Sequence, residues 1–207
     1  MRPALTAASA ALFLIALAGC VPERAGSPVR ANLIIVRELA ASPAIVTLDQ
    51  SFGFSLYRGT AGVPPKQRAA GVARAAAFSL ADVITTQLTA AGYDAIRSDT
   101  AAPEPGARAL IVSGAFRRID EGRRRHVGAE NPSIAVDVDI DFEASGAPPQ
   151  RITELHFDSQ RVPRDAGVGV SARRGVDVNL AATRVGAAIA RYVGDTARLN
   201  SWPTAAR

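Results

Sequence analysis

The residues best placed to do chemistry fall in two stretches that read as neighbouring strands. Asp137, Asp139, Asp141 and Glu143 alternate with Ile134, Val136, Val138, Ile140 and Phe142. Glu154, His156 and Asp158 alternate with Leu155 and Phe157. Period-two spacing puts the carboxylates of each strand on one face and its apolar residues on the other. Matching apolar residues across the hairpin predicts Ile140 opposite Leu155 and Val138 opposite Phe157. Asp139 then faces His156, Asp137 faces Asp158, and Asp141 faces Glu154. A slip of one residue would carry Glu154 and His156 into the core. Carboxylates beside an imidazole could hold a divalent cation through hard oxygen ligands. They could also do acid–base work on a carbohydrate or phosphate, with Asp139 and His156 as the acting pair. Against both, a flat sheet face splays its ligands apart, sugar-stacking aromatics are missing nearby, and directly opposed like charges repel. Neighbouring arginines pairing with the stripe is the alternative.

Such arginines are at hand. Arg117, Arg118, Arg123, Arg124 and Arg125 cluster with Asp120, Glu121 and His126 ahead of the acidic stripe. Guanidinium matches phosphate bidentately, so the run could bind phosphate-rich lipid heads, lipopolysaccharide or an acidic partner. The plainer reading is a solvated turn whose arginines neutralise the next strand. Nucleophilic catalysis has little to work with. The chain has one cysteine and two histidines, lacks a Gly-x-Ser-x-Gly elbow, and sets neither histidine beside a serine and an orienting acid. Gly167-Val168-Gly169-Val170-Ser171 lacks the Gly-Lys-Ser/Thr ending of a phosphate-cradling loop. These residues imply no enzyme, no cofactor and no metal.

The elements that must position these residues are legible from periodicity. Leu33-Ile34-Ile35-Val36 suits a buried strand, and Ala44 to Leu48 a second short one. From Lys66 to Ala91 the period turns helical, with Ala73, Ala77, Leu80, Ile84, Leu88 and Ala91 on one stripe and Arg68, Arg74 and Asp82 away from it. Gly92 ends that helix. Tyr93 to Ile96 reads as a short strand. Ala109 to Ile119 is apolar on both faces and reads as a central strand. A last helix starts at or near Asp177, with Val178, Ala182, Val185 and Ile189 inward and Arg184 and Arg191 outward. The loop-like segment 49–65 carries Phe52, Phe54 and Tyr57, and the tail 199–207, with Trp202, should fray. The fold class is α+β, a mixed β-sheet with two main helices packed on one face.

Composition narrows the partners. The net charge is +5, carried almost wholly by arginine, which fits a G+C-rich genome as well as an acidic partner. Basic residues are not interleaved with aromatics, which argues against nucleic acid. At the N-terminus Arg2 precedes an apolar run holding Leu12, Phe13, Leu14, Ile15 and Leu17, then small residues and Cys20. That order is a secretory signal, too short for a spanning helix. Leu17-Ala18-Gly19-Cys20 resembles the lipobox of bacterial lipoproteins. The resemblance implies cleavage before Cys20 and acylation of its sulfur and amine, the latter in a third chain. Two or more acyl chains anchor stably where one holds only marginally. With Val21 next, the sorting rule of enteric bacteria implies the outer membrane facing the periplasm. The organisation expected is a signal peptide over 1–19, a lipidated cysteine and tether over 20–31, one periplasmic domain over 32–198, and a tail. Cys20 being lipidated, no disulfide forms within a mature chain, and packing alone must hold the fold.

Beyond the lipobox, the chain resembles a family of small bacterial lipoproteins known as a domain of unknown function. The matching residues run from Leu110 to Phe142: Gly114-Ala115-Phe116, Ile119-Asp120-Glu121-Gly122 with its arginines, a glycine-containing turn and the alternating strand. Ala91-Gly92-Tyr93 fits as well. More distantly, the order of elements is similar to envelope-assembly lipoproteins such as the curli-secretion lipoprotein, although the long hairpins of a secretion pore are absent. The function expected is a membrane-anchored, non-enzymatic domain that binds an envelope protein or polymer. An envelope carbohydrate- or phosphate-processing enzyme and a self-assembling structural lipoprotein are the alternatives.

Overall fold

A computed structural model describes residues 31–51, 61–101, 103, 107–123, 130–162 and 177–204. Its centre is β4 (Arg108–Asp120), a strand of a six-stranded mixed sheet ordered β3-β1-β4-β5-β6, with β2 also paired to β4. β1 (Leu33–Val36) lies parallel to both β4 and β3 (Ala95–Arg97). The chain then follows β4 along its length. Ala40 bridges Ala115, and β2 (Val46–Thr47) pairs with Ile119 and Asp120. The stretch expected as one strand over 44–48 is therefore split. Pro43–Ile45 forms a 3-10 turn capped by the Ser42 hydroxyl, and only Val46–Thr47 is extended. Proline's fixed φ and missing N–H favour the turn. β5 (Ser133–Ala144) and β6 (Gln150–Asp158) complete an antiparallel meander.

Two helices cover one face. α1 (Pro65–Ala90) turns Ala73, Ala77, Leu80, Ile84 and Leu88 inward, as the stripe requires, while Ala91 is exposed as the C-cap. Gly92 takes φ +92°, the Tyr93 N–H bonds back to the Leu88 carbonyl and the Gly92 N–H to the Thr89 carbonyl, the paired hydrogen bonds of a Schellman end. α2 (Val178–Leu199) starts at Asp177, whose Oδ1 accepts the Leu180 N–H at 3.1 Å. Both helices pack with Ile34, Val36, Leu110, Val112, Val136, Val138 and Ile140 in one core. Gly186 lets the helices approach closely, since a Cβ there would lie 3.0 Å from the Leu80 carbonyl oxygen. Trp202, placed by the sequence in a fraying tail, is 7% exposed and joins this core, its backbone N–H bonded to the Ala197 carbonyl. The opposite face is apolar only near β1, where Ile35, Ala109 and Ile111 pack with Leu33 and Ala101. β4 is thus buried on both faces there, as expected of a central strand. No helix among the described residues is long and apolar enough to cross a membrane.

Two bulges set which side chains share a face. In β4 Phe116 pairs with Val136 and Arg118 with Ala135, leaving Arg117 as the extra residue. In β6 Thr153 pairs with Ile140 and Arg151 with Asp141, leaving Ile152 extra. The hairpin register differs from the expected one by two residues. Val138 faces Leu155, Val136 faces Phe157, Asp137 faces His156 and Asp139 faces Glu154. A two-residue shift keeps every side chain on its face, so apolar alternation cannot distinguish the two registers.

Candidate functional site

Two polar arrangements stand out. The first is the outer face of β4, β5 and β6, away from the helices. Asp137 sits at its centre, with Oδ1 accepting from Arg117 Nε at 2.8 Å and lying 2.6 Å from His156 Nδ1. Arg151, from the β6 bulge, donates to Asp139 at 2.7 Å and to Asp141 at 2.6 Å, with Glu154 at 3.9 Å. The hydrogen bond to Asp141 pushes the Arg151 guanidinium above its ordinary value, helped by the nearby charges of Asp141, Asp139 and Glu154 against a loss of hydration. Arg118 Nη2 donates to Asp158 at 3.1 Å. The face is therefore a chain of arginine–carboxylate pairs, the alternative the sequence offered to a metal or acid–base centre.

Asp139 and His156, the pair suggested for chemistry, are not partners: Asp139 bonds Arg151, and His156 bonds Asp137. His156 lines a groove with Arg117, Asp158 and Arg161 that does not include Asp139. No group of three or more His, Cys, Asp or Glu converges to hold a metal ion among the described residues. The β4 bulge explains how consecutive arginines serve one face. Adjacent residues of a regular strand point to opposite sides. With Arg117 extra, both Arg117 and Arg118 reach carboxylates on the outer face.

The arginine run is dispersed rather than gathered. Beyond Arg117 and Arg118, Arg123 lies 3.5 Å from Glu130 on the connection into β5. Asp120 Oδ1 accepts the Gly122 N–H at 2.7 Å, and Gly122 has φ +72° where a Cβ would lie 2.2 Å from the Glu130 carbonyl oxygen. Arg124, Arg125 and His126 lie outside the described residues, as do Cys20, Phe52, Phe54, Tyr57 and the segment 167–171.

The second arrangement escaped the sequence reading. Arg68, read as lying away from the helix stripe, tucks its guanidinium under the end of the sheet, with its side chain 14% exposed. Its Nη2 donates to the Asp49 carbonyl at 2.8 Å and lies 3.4 Å from Glu121 Oε2. Glu121, from the same acidic pair as Asp120, is 10% exposed and accepts the Asp49 N–H at 2.9 Å. Asp49 Oδ1 in turn accepts the Ser51 N–H at 2.8 Å. These bonds join the segment after β2, the end of β4 and the first turn of α1. The available signal was Arg68 at the border of the apolar stripe, beside Ala69, in a helix whose first turn has no acidic residue.

No family model and no curated protein matches the chain. Among solved structures, protein XCC0632 from Xanthomonas campestris, of the DUF330 family, a domain of unknown function, aligns over 86% of this chain and 91% of its own at 12% identity and TM-score 0.43. A dodecamer of PelC from Paraburkholderia phytofirmans aligns over 82% and 89% at 14% identity and TM-score 0.39. A protein described as a homologue of a neuraminyllactose-binding hemagglutinin, from Helicobacter pylori, aligns over 84% and 91% at 14% identity and TM-score 0.39. At these identities and scores none of the three bears on what the chain does.

Proposed function

We propose that this chain is a lipoprotein anchored through Cys20 in the outer membrane, with its α+β domain in the periplasm, and that it works by binding an envelope protein or polymer rather than by catalysis. The observation that carries the binding half is the state of the outer-face titratable groups. Asp137, Asp139, Asp141 and Asp158 each accept from an arginine, and His156 is held by Asp137. An acid or base acting on substrate must meet the proton it moves, and these groups are committed to one another across an open sheet face. The anchoring half is supported by the order Arg2, apolar run, Leu17-Ala18-Gly19-Cys20.

Fractionation of cells expressing the wild type and Cys20→Ala, with mass spectrometry of the mature N-terminus, tests the anchor. Acylated Cys20 in outer-membrane fractions, and release of the variant, is the expected result. Soluble, unacylated wild type would refute it. Cross-linking from intact cells then tests the binding half: recovery of no specific partner, while known lipoprotein complexes are preserved, counts against it.

A further inference from the structure

We infer that the free edge of β6 pairs antiparallel with β6 of a second copy of this chain, about a two-fold axis at Leu155. The inference goes beyond the envelope partner proposed above and depends neither on that partner nor on lipidation. β6 is the outer strand of the sheet and is joined to β5 alone. The Ser159 N–H bonds the Ile134 carbonyl, so by period two Phe157, Leu155 and Thr153 also turn their backbone groups to β5. Glu154 and His156 turn theirs outward, where no described residue meets them. Of the devices that guard a sheet edge, proline, lysine and inward-pointing charge are absent from Thr153 to Phe157. Leu155 and Phe157 pack against the core yet stay partly exposed. The opposite edge, β3, is only 3 residues long.

Only outward-turned residues can exchange hydrogen bonds across the axis, which leaves few registers. Glu154 opposite itself, or opposite Asp158, opposes like charges. His156 opposite Asp158 calls on the Asp158 carbonyl, which already accepts the Arg161 and Val162 N–H groups. Glu154 opposite the partner's His156 opposes a carboxylate to an imidazole twice, each pair exchanging both backbone hydrogen bonds. It also sets Leu155 against its own copy and Phe157 against the partner's Thr153.

That register joins two loose ends of the outer-face network. Among the described residues Glu154 meets only Arg151, at 3.9 Å. His156 spends Nδ1 on Asp137, and its Nε2 has no partner there. The helices leave room. α2 packs over β5, and β5 lies three strand spacings, about 14 Å, from the partner's β5, whereas packed helices need only about 8–10 Å.

Cysteine cross-linking of the Cys20→Ala chain tests the register, since Leu155→Cys then supplies its sole cysteine. Across the two-fold that cysteine lies opposite itself in a non-hydrogen-bonded pair, with Cα atoms about 4.5 Å apart, within disulfide reach. Mild oxidation should link it into dimers. Thr153→Cys and Phe157→Cys should each fail to self-link, because each lies about 13 Å from its own copy, but mixing the two should give the mixed disulfide. Sedimentation equilibrium of the unlinked chain should show monomers and dimers, with the dimer weakened on the order of tenfold by the exposed substitution Glu154→Lys. Association through the apolar N-terminal run would ignore both that substitution and the position of the cysteine. A monomer at every concentration, equal self-linking at all three positions, or an unchanged equilibrium in folded Glu154→Lys overturns the inference. So does Leu155→Cys linked in cells only to a different protein, which would assign the edge to that protein's strand. Self-association is read on the purified chain and the anchor by fractionation, so the two fail separately.

Discussion

Removing the Arg68 guanidinium should destabilise the domain more than any other single arginine truncation among the described residues. Arg68→Ala deletes a charge-assisted hydrogen bond of 2.8 Å to the Asp49 carbonyl and the 3.4 Å contact with Glu121. A hydrogen bond to a charged group contributes about 1.5–3 kcal/mol. Glu121, 10% exposed, is then left with the Asp49 N–H but without its counter-charge. Breaking a buried pair by removing one partner costs about 3–5 kcal/mol. Partial exposure and the long ion-pair distance place this one at the lower end, at about 3 kcal/mol. For a domain of this size that is a fall of about 6–12 °C in Tm. Urea unfolding of the Cys20→Ala chain reports it, because Trp202 is the sole tryptophan and lies in the core. Arg68→Met combined with Glu121→Leu should recover part of the loss, since an apolar pair of similar volume carries no desolvation penalty. A cost for Arg68→Ala within about 0.5 kcal/mol, the range of ordinary surface substitutions, would refute the assignment of this pair as the clasp between sheet end and helix.

Other substitutions probe the remaining joints. Gly114→Ala should cost about 4 kcal/mol or more and depress soluble yield, because a Cβ there would lie 2.0 Å from the Asp137 carbonyl oxygen; a parental urea midpoint would show that β4 and β5 part at that point. Trp202→Ala should cost about 3 kcal/mol, the lower range for a buried aromatic, measured by circular dichroism; no change would mean that the tail frays after all. Arg151→Ala should leave the melting temperature unchanged in low and high salt, since exposed ion pairs contribute little. The raised Arg151 pKa contributes stability that is complete below the unfolded value and lost only as pH rises through the folded one, so Arg151→Ala should not alter the pH–stability profile from about pH 5 to 10. Deletion of Arg117 should be tolerated better than deletion of Asp139, because only Arg117 is the extra residue of a bulge; the two urea midpoints compare them, and equal losses would refute the bulge assignment.

The fold was largely readable because its strongest signals are periodic. The stripe from Ala73 to Leu88, the Gly92 stop and the Asp177 start each carry a local physical reason, and the helices lie where those signals put them. What failed was non-local. The hairpin register shifts by two because a period-two pattern fits both alignments, and the Ile152 bulge that completes the pairing has no sequence mark. Sequence places Trp202 in a tail because it follows the last helical stripe, whereas its side chain joins the core and its backbone N–H bonds the Ala197 carbonyl. Arg68 looked solvated for a related reason. Helical periodicity assigns a side chain to a face, but a long side chain at the border of that face can reach under a neighbouring strand end.

The candidate site shows the same divide between residue type and residue direction. Five arginines within nine positions suggest one cationic patch, yet chain proximity in a strand separates side chains as often as it gathers them. Here the bulge at Arg117 turns two consecutive guanidiniums onto one face, where each meets a carboxylate from a different strand, while Arg123 faces Glu130 on the connecting segment. Glu121, which lies inside the cationic run, is the part-buried partner of a helix arginine 53 residues earlier in the chain. Charge that reads as a surface cluster in sequence is thus spent on tying β4 to β5, to β6 and to α1. These pairs sit where β4 meets β5, β6 and α1, in a fold whose small, alanine-rich core buries little area per residue.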